Sequence, residues 1–268
     1  FTLAIYLPVC RVILTQFATA AQPLAEPVAS AFKPFTLTHA VTSGTYTLLM
    51  IALVAAGLLW RNTPRQRTLE TAWFAFVLLV QLFNIIFWCT PPRLELASSL
   101  PLHICDLAGV FAIFATRTWT RTSTQPNARD RTLATIMFFW GLGLSTQAFI
   151  TPVITQGPDT VRFHIFFLSH FTIVATPLYD LIVRGYRPGL RDFSVILLVT
   201  AIFGAIMIPL NAATGWNYGY AGSTKPENPT VIDKLGPYPL RLLWMAGIVT
   251  TVYAVLTLIG HIIPRRSR

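Results

Sequence analysis

Seven apolar stretches, each long enough to cross a bilayer, dominate this chain: 37–60, 69–89, 100–119, 133–151, 162–183, 193–214 and 238–263. A spanning helix needs about 20 predominantly apolar residues, and hydrocarbon tolerates only backbone whose polar groups are bonded internally. The fold expected is therefore all-α, a polytopic membrane protein with seven transmembrane helices. Composition agrees: 54% of residues are hydrophobic and 11% charged, against roughly 25% charged in soluble domains. The links are short and turn-like, as at Asn62-Thr63-Pro64, Thr90-Pro91-Pro92, Gln125-Pro126-Asn127, Gln156-Gly157-Pro158 and Arg187-Pro188-Gly189. Only 215–237 is long enough to fold over a face, and no internal repeat is evident.

The formal net charge is +10, but its placement points to topology rather than to nucleic acid. Alternate loops carry Arg61, Arg65 and Arg67, then Arg117, Arg121, Arg129 and Arg131, then Arg184, Arg187 and Arg191, and the tail carries Arg265, Arg266 and Arg268. On the opposite side, Arg93, Arg162, Lys225 and Lys234 are balanced by Glu95, Asp159, Glu227 and Asp233. The positive-inside rule then puts the C-terminus in the cytoplasm and the N-terminus outside. Residues 1–34 stand apart as an N-terminal extension ahead of a membrane domain over 35–268. Pro8 and Arg11 spoil the first 20 residues as a span, and Ala18-Thr19-Ala20 has the small-residue look of a signal cleavage site. A signal-like segment and an interfacial helix fit equally.

On this topology the polar residues of the spans fall in one layer, the outer half. His39 opens the first helix, Asn84 closes the second, and His103, Cys105 and Asp106 open the third. Gln147 is late in the fourth, His164 and His170 are early in the fifth, Asn211 ends the sixth, and Tyr238 and Arg241 begin the seventh. The inner half has few comparable groups. Each residue alone reads as interfacial or as interhelical glue. Together they suggest a cavity, because intramembrane polar groups are expensive to keep.

Helix geometry sorts the roles. His103 and Asp106 share a face, so Asp106 can orient an imidazole. Cys105 lies about 200° around the helix from His103, which makes His103 a poor base for it. A thiol nucleophile needs a base nearby. His170 lies roughly 12 Å down the fifth helix and His164 only about 3 Å, so His170 is closer in depth to Cys105. The reading pairs Cys105 with His170, with His103 or Asn84 supporting an oxyanion; the bland reading of Cys105 is a small buried apolar side chain. The loop from Asn217 through Tyr238, rich in aromatic residues and prolines, lies on the cavity side and can act as a lid or as a mere connector. Cys10, Cys89 and Cys105 form no even-numbered framework; a Cys89–Cys105 bridge is conceivable, but the spacing does not demand it.

Several segments carry a resemblance: Phe35-Thr36-Leu37-Thr38-His39, Leu100-Pro101-Leu102-His103-Ile104-Cys105-Asp106, Phe166-Phe167-Leu168-Ser169-His170, and Asn217-Tyr218 through Lys225-Pro226 to Leu235-Gly236-Pro237-Tyr238-Pro239. They are similar to the YwaF-like bacterial integral membrane proteins, which group with eukaryotic transmembrane protein 164. The likeness runs over about residues 35–263, with Pro-Leu-His-x-Cys its most specific part. It implies an acyltransferase that moves a fatty acyl chain between phospholipids through a cysteine, related to serpentine hydrolases that use a threonine and a histidine. The activity expected is therefore that of a lipid acyltransferase or an acyl-ester hydrolase with its cavity in the outer half of the membrane. By that resemblance Cys105 is the nucleophile and His170 its base, and the protein sits in the bacterial inner (cytoplasmic) membrane with membrane lipids as its partners. No cofactor, metal or nucleic acid is called for, and the sequence leaves the oligomeric state open.

Two other readings stay open. A metal-dependent membrane hydrolase would use His39, His103, His164 and His170, although no HExxH pair is present. A transporter or receptor for a small polar ligand would use the same cavity, although polar groups near the midplane and broken or repeated helices are not obvious.

Overall fold

The computed structural model describes residues 31–121, 127–224 and 231–262. Among the described residues seven α-helices follow one another: α1 Leu37–Leu59, α2 Pro64–Cys89, α3 Ile104–Trp119, α4 Ala128–Ile136, α5 Val161–Tyr179, α6 Leu190–Thr214 and α7 Leu240–Ile262. The described residues contain no strand. An isolated antiparallel bridge joins Ala31 to Gln156, reinforced by the Phe32 N–H donating to Thr155 O at 2.7 Å. The end of the predicted extension thus packs on the bundle, with the Phe32 ring buried against Phe163 and Phe167. The signal-like features of the first 20 residues lie outside the described residues.

Local chemistry sets the helix starts. The Thr36 hydroxyl accepts from the His39 N–H to cap α1, and Pro64 occupies the first turn of α2, where no N–H is needed. Asn127 and Asp130 form a reciprocal capping box at α4. That helix changes pitch as it crosses: Met137–Leu144 is π-helix and Ser145–Phe149 is 3-10 helix. Leucine and isoleucine side chains such as Leu48, Leu79, Ile86, Leu198, Ile206 and Leu243 point outward. So much exposed apolar surface does not persist in water and is what lipid requires.

Among the described residues six helical segments are long and apolar enough to cross a membrane. The third expected span is the exception. α3 has 16 residues, about 24 Å of rise, against a hydrocarbon core of about 30 Å. Its expected first turn, Leu100 to His103, is irregular because Pro101 lacks an N–H and biases Leu100 away from helix. Such backbone at membrane depth is tolerated where it is covered by protein or lines a cavity.

α5 is the hub, with 67% of its spanning window buried against 11% in α7, and it packs on α1, α2, α3 and the π segment. Its face toward α2 is polar at successive turns. The Gln81 side chain, fully buried, donates to Thr172 Oγ1 at 2.8 Å and Ser169 Oγ at 3.1 Å, and Trp73 Nε1 donates to Thr176 Oγ1 at 3.1 Å. α3 meets this contact at Gly109, where a Cβ would lie 2.3 Å from Gln81 Oε1. Because its hydrogen bonds hold Gln81, it cannot swing aside at no cost. Gly109→Ala is therefore expected to lower stability by about 1–3 kcal/mol, read as an earlier unfolding transition in detergent; an unchanged transition would mean that α3 relaxes freely.

The opposite end of the bundle departs from the expectation that it holds few polar groups. Glu70, buried in α2, accepts from Arg184 Nη1 at 3.0 Å and Gln66 Nε2 at 2.9 Å, while Arg184 Nε also pairs with Asp180 at 3.2 Å. Asp192, equally buried, takes a forked pair from Arg131, Nε at 2.9 Å and Nη2 at 2.5 Å, with Thr135 Oγ1 at 3.0 Å. Arg131 and Arg184 count as loop cations in the sequence, but long side chains let them fold back onto carboxylates in neighbouring helices. Each buried carboxylate is paired, as burial of a charge demands.

Candidate functional site

A cavity of about 500 Å³ lies where α2 ends, α3 begins, the fourth segment ends and α5 begins. Of the residues singled out in the sequence it gathers Asn84, His103, Cys105, Asp106, Gln147 and His170. The others sit around it. His39 ties α1 to the end of the fourth segment: its Nδ1 accepts from the Phe35 N–H at 2.9 Å and its Nε2–H donates to Phe149 O at 3.0 Å. His164 is exposed and bonds Pro158 O at 2.8 Å. Tyr238 is exposed beside Arg241. Arg241, buried, donates through Nη2 to Gly222 O and to Thr224 O, the latter at 2.8 Å, fastening α7 to the preceding turn.

Asn211 and Asn217 shape the loop that covers the cavity. The Asn211 amide bonds both the backbone N–H and C=O of Tyr218, at 3.0 and 2.8 Å. Asn217 Oδ1 accepts from the Gly222 N–H at 2.9 Å, and its Nδ2 donates to Thr224 O at 3.0 Å. Tyr218, completely buried, reaches the other loop: its hydroxyl donates to Leu96 O at 2.7 Å and accepts from the Leu100 N–H at 3.0 Å. That phenol holds the irregular entry to α3 in place. Tyr218→Phe would strip two backbone groups of their partner, an expected cost of about 1–3 kcal/mol. Hydrogen exchange should rise at Leu100 and its neighbours; unaltered protection there would show that the entry is held otherwise.

The two cavity histidines present opposite edges. A backbone N–H can only donate, so His103 Nδ1, which receives the Gly219 N–H at 3.3 Å, is an acceptor. Neutral His103 then carries its proton on Nε2 and is a donor. A carbonyl can only accept, so His170 Nδ1, 2.7 Å from Phe166 O, carries the proton. That leaves His170 Nε2 as the lone pair, the arrangement a base needs. Asp106 does not meet the His103 ring in any described hydrogen bond; it stands in the first turn of α3, where a carboxylate complements the positive end of the helix.

Cys105 and Cys89 are free thiols, and Cys89 donates to Ser99 O at 3.6 Å. Cys105 is met by Ser145, a residue the sequence reading missed. The Ser145 hydroxyl reaches Trp140 O at 2.9 Å and Cys105 Sγ at 3.4 Å. Its one proton serves either acceptor, so it can turn to the sulfur when the sulfur becomes anionic. Ser145 stands at the junction of the π and 3-10 segments, and π-helical turns recur at functional sites. Tyr220 also lines the cavity, 5.4 Å from His103 between ring centroids. Burial pushes its phenol above the ordinary range, which keeps the hydroxyl a neutral donor. The cavity further takes in Arg93, Glu95, Thr151, Arg162 and Ser169. None of these stood out in the sequence, where the arginines read as loop charges. Among the described residues no three His, Cys, Asp or Glu side chains come together as a metal site.

The fold and this cavity define an all-helical integral membrane protein with a polar chamber at one end of its bundle, holding a free thiol and two histidines of opposite polarity. The family model described as TMEM164 family matches residues 34–257. The chain belongs to the TMEM164 family. No curated protein and no solved structure matches it.

Proposed function

We propose that the protein is a lipid acyltransferase or acyl-ester hydrolase that works through Cys105. The observation that carries this reading is that Cys105 and His170 line one cavity, with the lone pair of His170 on Nε2. His170 Nε2 takes the thiol proton as Cys105 Sγ attacks the acyl carbonyl. The C–O bond then breaks, and His170 returns the proton to the departing alcohol, leaving a thioester. An acceptor alcohol or water, deprotonated by His170, attacks the thioester and frees the thiol. His103 Nε2–H and the Tyr220 hydroxyl are the donors suited to the developing oxyanion.

Loop charge supports a cavity at the outer leaflet and a cytoplasmic C-terminus. Likeness to the YwaF-like branch supports the bacterial cytoplasmic membrane. Two steps separate the reaction classes: reconstitute the protein with a phospholipid carrying a labelled acyl chain, then follow the label. Label on a second lipid is transfer, and label as free fatty acid is hydrolysis. Label that stays on its donor in a folded, reconstituted protein overturns both.

A further inference from the structure

Arg93 and Arg162 are unlike the other loop arginines, because both line the cavity. Each lies over an aromatic face from the end of α2: the Arg93 guanidinium carbon is 4.3 Å from the Phe87 ring centroid, and that of Arg162 is 5.1 Å from Trp88. Those two rings touch edge to face at 5.4 Å, so one aromatic pair supports both cations. Stacking attracts the cation through its face and leaves the N–H fork in the guanidinium plane. For Arg93 it positions the guanidinium without using its hydrogen bonds.

The cavity also holds orphaned donors. Arg93 Nε and Thr151 Oγ1 are buried and have no hydrogen-bond partner among the described residues. A buried donor left unmade is costly, and two on one cavity point to a ligand rich in acceptors. Of the carboxylates on the same walls, Glu95 accepts from Ser98 Oγ at 3.0 Å. Arg162 adds a second positive charge to the wall. Two guanidiniums and a hydroxyl lining one cavity are the chemistry that recognises a phosphate ester.

We propose that Arg93, Arg162 and Thr151 form a subsite for the phosphate of a lipid headgroup, set apart from the thiol and selecting which acyl esters are presented to it. This rests on the acyl-transfer reading for its purpose but not for its test. Ether-linked lipids cannot be cleaved at an acyl bond, so they report binding alone. The probes are hexadecylglycerol phosphate and hexadecylglycerol, both ether-linked, with the full chain in a maltoside detergent that carries no phosphate.

The wild-type protein should bind the phosphate-bearing lipid about tenfold or more tightly than the other, the scale of a lost charge-assisted hydrogen bond. Arg93→Gln and Arg162→Gln should each erase most of that preference and leave hexadecylglycerol binding unchanged, while Arg93→Lys should keep part of it. Inorganic phosphate should displace the lipid only at far higher concentration.

Equal binding of the two lipids by the wild type overturns the proposal, as does a preference that survives both glutamine variants. Displacement by inorganic phosphate at matching concentration overturns the headgroup assignment and makes this a site for free phosphate. Unfolding transitions identify a variant that fails to fold. In that event the remaining variant and the wild-type ratio decide. A phosphate preference with no acyl transfer sinks the catalytic reading and leaves the subsite standing; acyl transfer without the preference does the reverse.

Discussion

Cys105→Ala is expected to stop acyl transfer, with a loss of about 10³-fold or more, the scale seen when a covalent nucleophile is removed. The fold should survive, since alanine fits wherever the half-buried Cys105 side chain packs and leaves only a small gap on a cavity that is already there. Cys105→Ser keeps the shape and a hydrogen-bonding atom beside Ser145 Oγ, which lies 3.4 Å from the sulfur. It should be nearly as inactive, because a hydroxyl at neutral pH is a far weaker nucleophile than a thiol beside a base. Steady-state turnover and an unfolding transition, measured together, separate chemistry from packing. Full turnover by Cys105→Ala would remove the thiol from the account.

The second large effect is at His170. Glutamine there can still hydrogen bond but cannot take a proton, and the expected loss in turnover is about 10²–10⁴-fold. The reasoning lies in the ring's orientation: the Phe166 carbonyl at 2.7 Å fixes the proton on Nδ1 and turns the basic nitrogen away from the helix backbone. A merely structural histidine would change stability and leave thiol reactivity alone. His170→Gln should instead slow alkylation of Cys105 by a small electrophile, and Cys105→Ala with His170→Gln should be no worse than Cys105→Ala alone, since the two act as a unit. Unchanged alkylation in a folded His170→Gln protein would deny the pairing.

Much of this architecture is legible in the sequence, and its failures have physical causes. The helices read well because apolar length is a direct consequence of bilayer thickness. α3 is shorter than expected because Pro101 governs its start, and hydropathy does not register a helix that begins late inside an apolar run. Depth along a helix was enough to bring Asn84, His103, Cys105, Asp106, Gln147 and His170 to one cavity. Depth does not give rotation, however. His39 and His164 belong to the same end of the bundle yet spend ring nitrogens on backbone carbonyls, at Phe149 and Pro158.

Residues whose meaning depends on a partner far along the chain were the ones not visible. Ser145 approaches Cys105 from 40 positions away, through a change of helical pitch that no composition signals. Arg131 and Arg184 look like topological charges until Asp192 and Glu70 are placed beside them. Arg93 and Arg162 look like their counterparts on the same side until the aromatic faces of Phe87 and Trp88 hold them against the cavity. The positive-inside rule counts such residues correctly and says nothing about which of them face inward.

The central claim is that an acyl group passes through Cys105, and the mass of one peptide tests it. The protein, reconstituted with a phospholipid whose acyl chain is deuterated, is quenched in acid at short times and digested. A fraction of the Cys105 peptide should carry the deuterated acyl mass and lose it on treatment with neutral hydroxylamine, as a thioester does. A Cys105 peptide that stays unmodified at every time, whether or not the lipid turns over, would contradict the account.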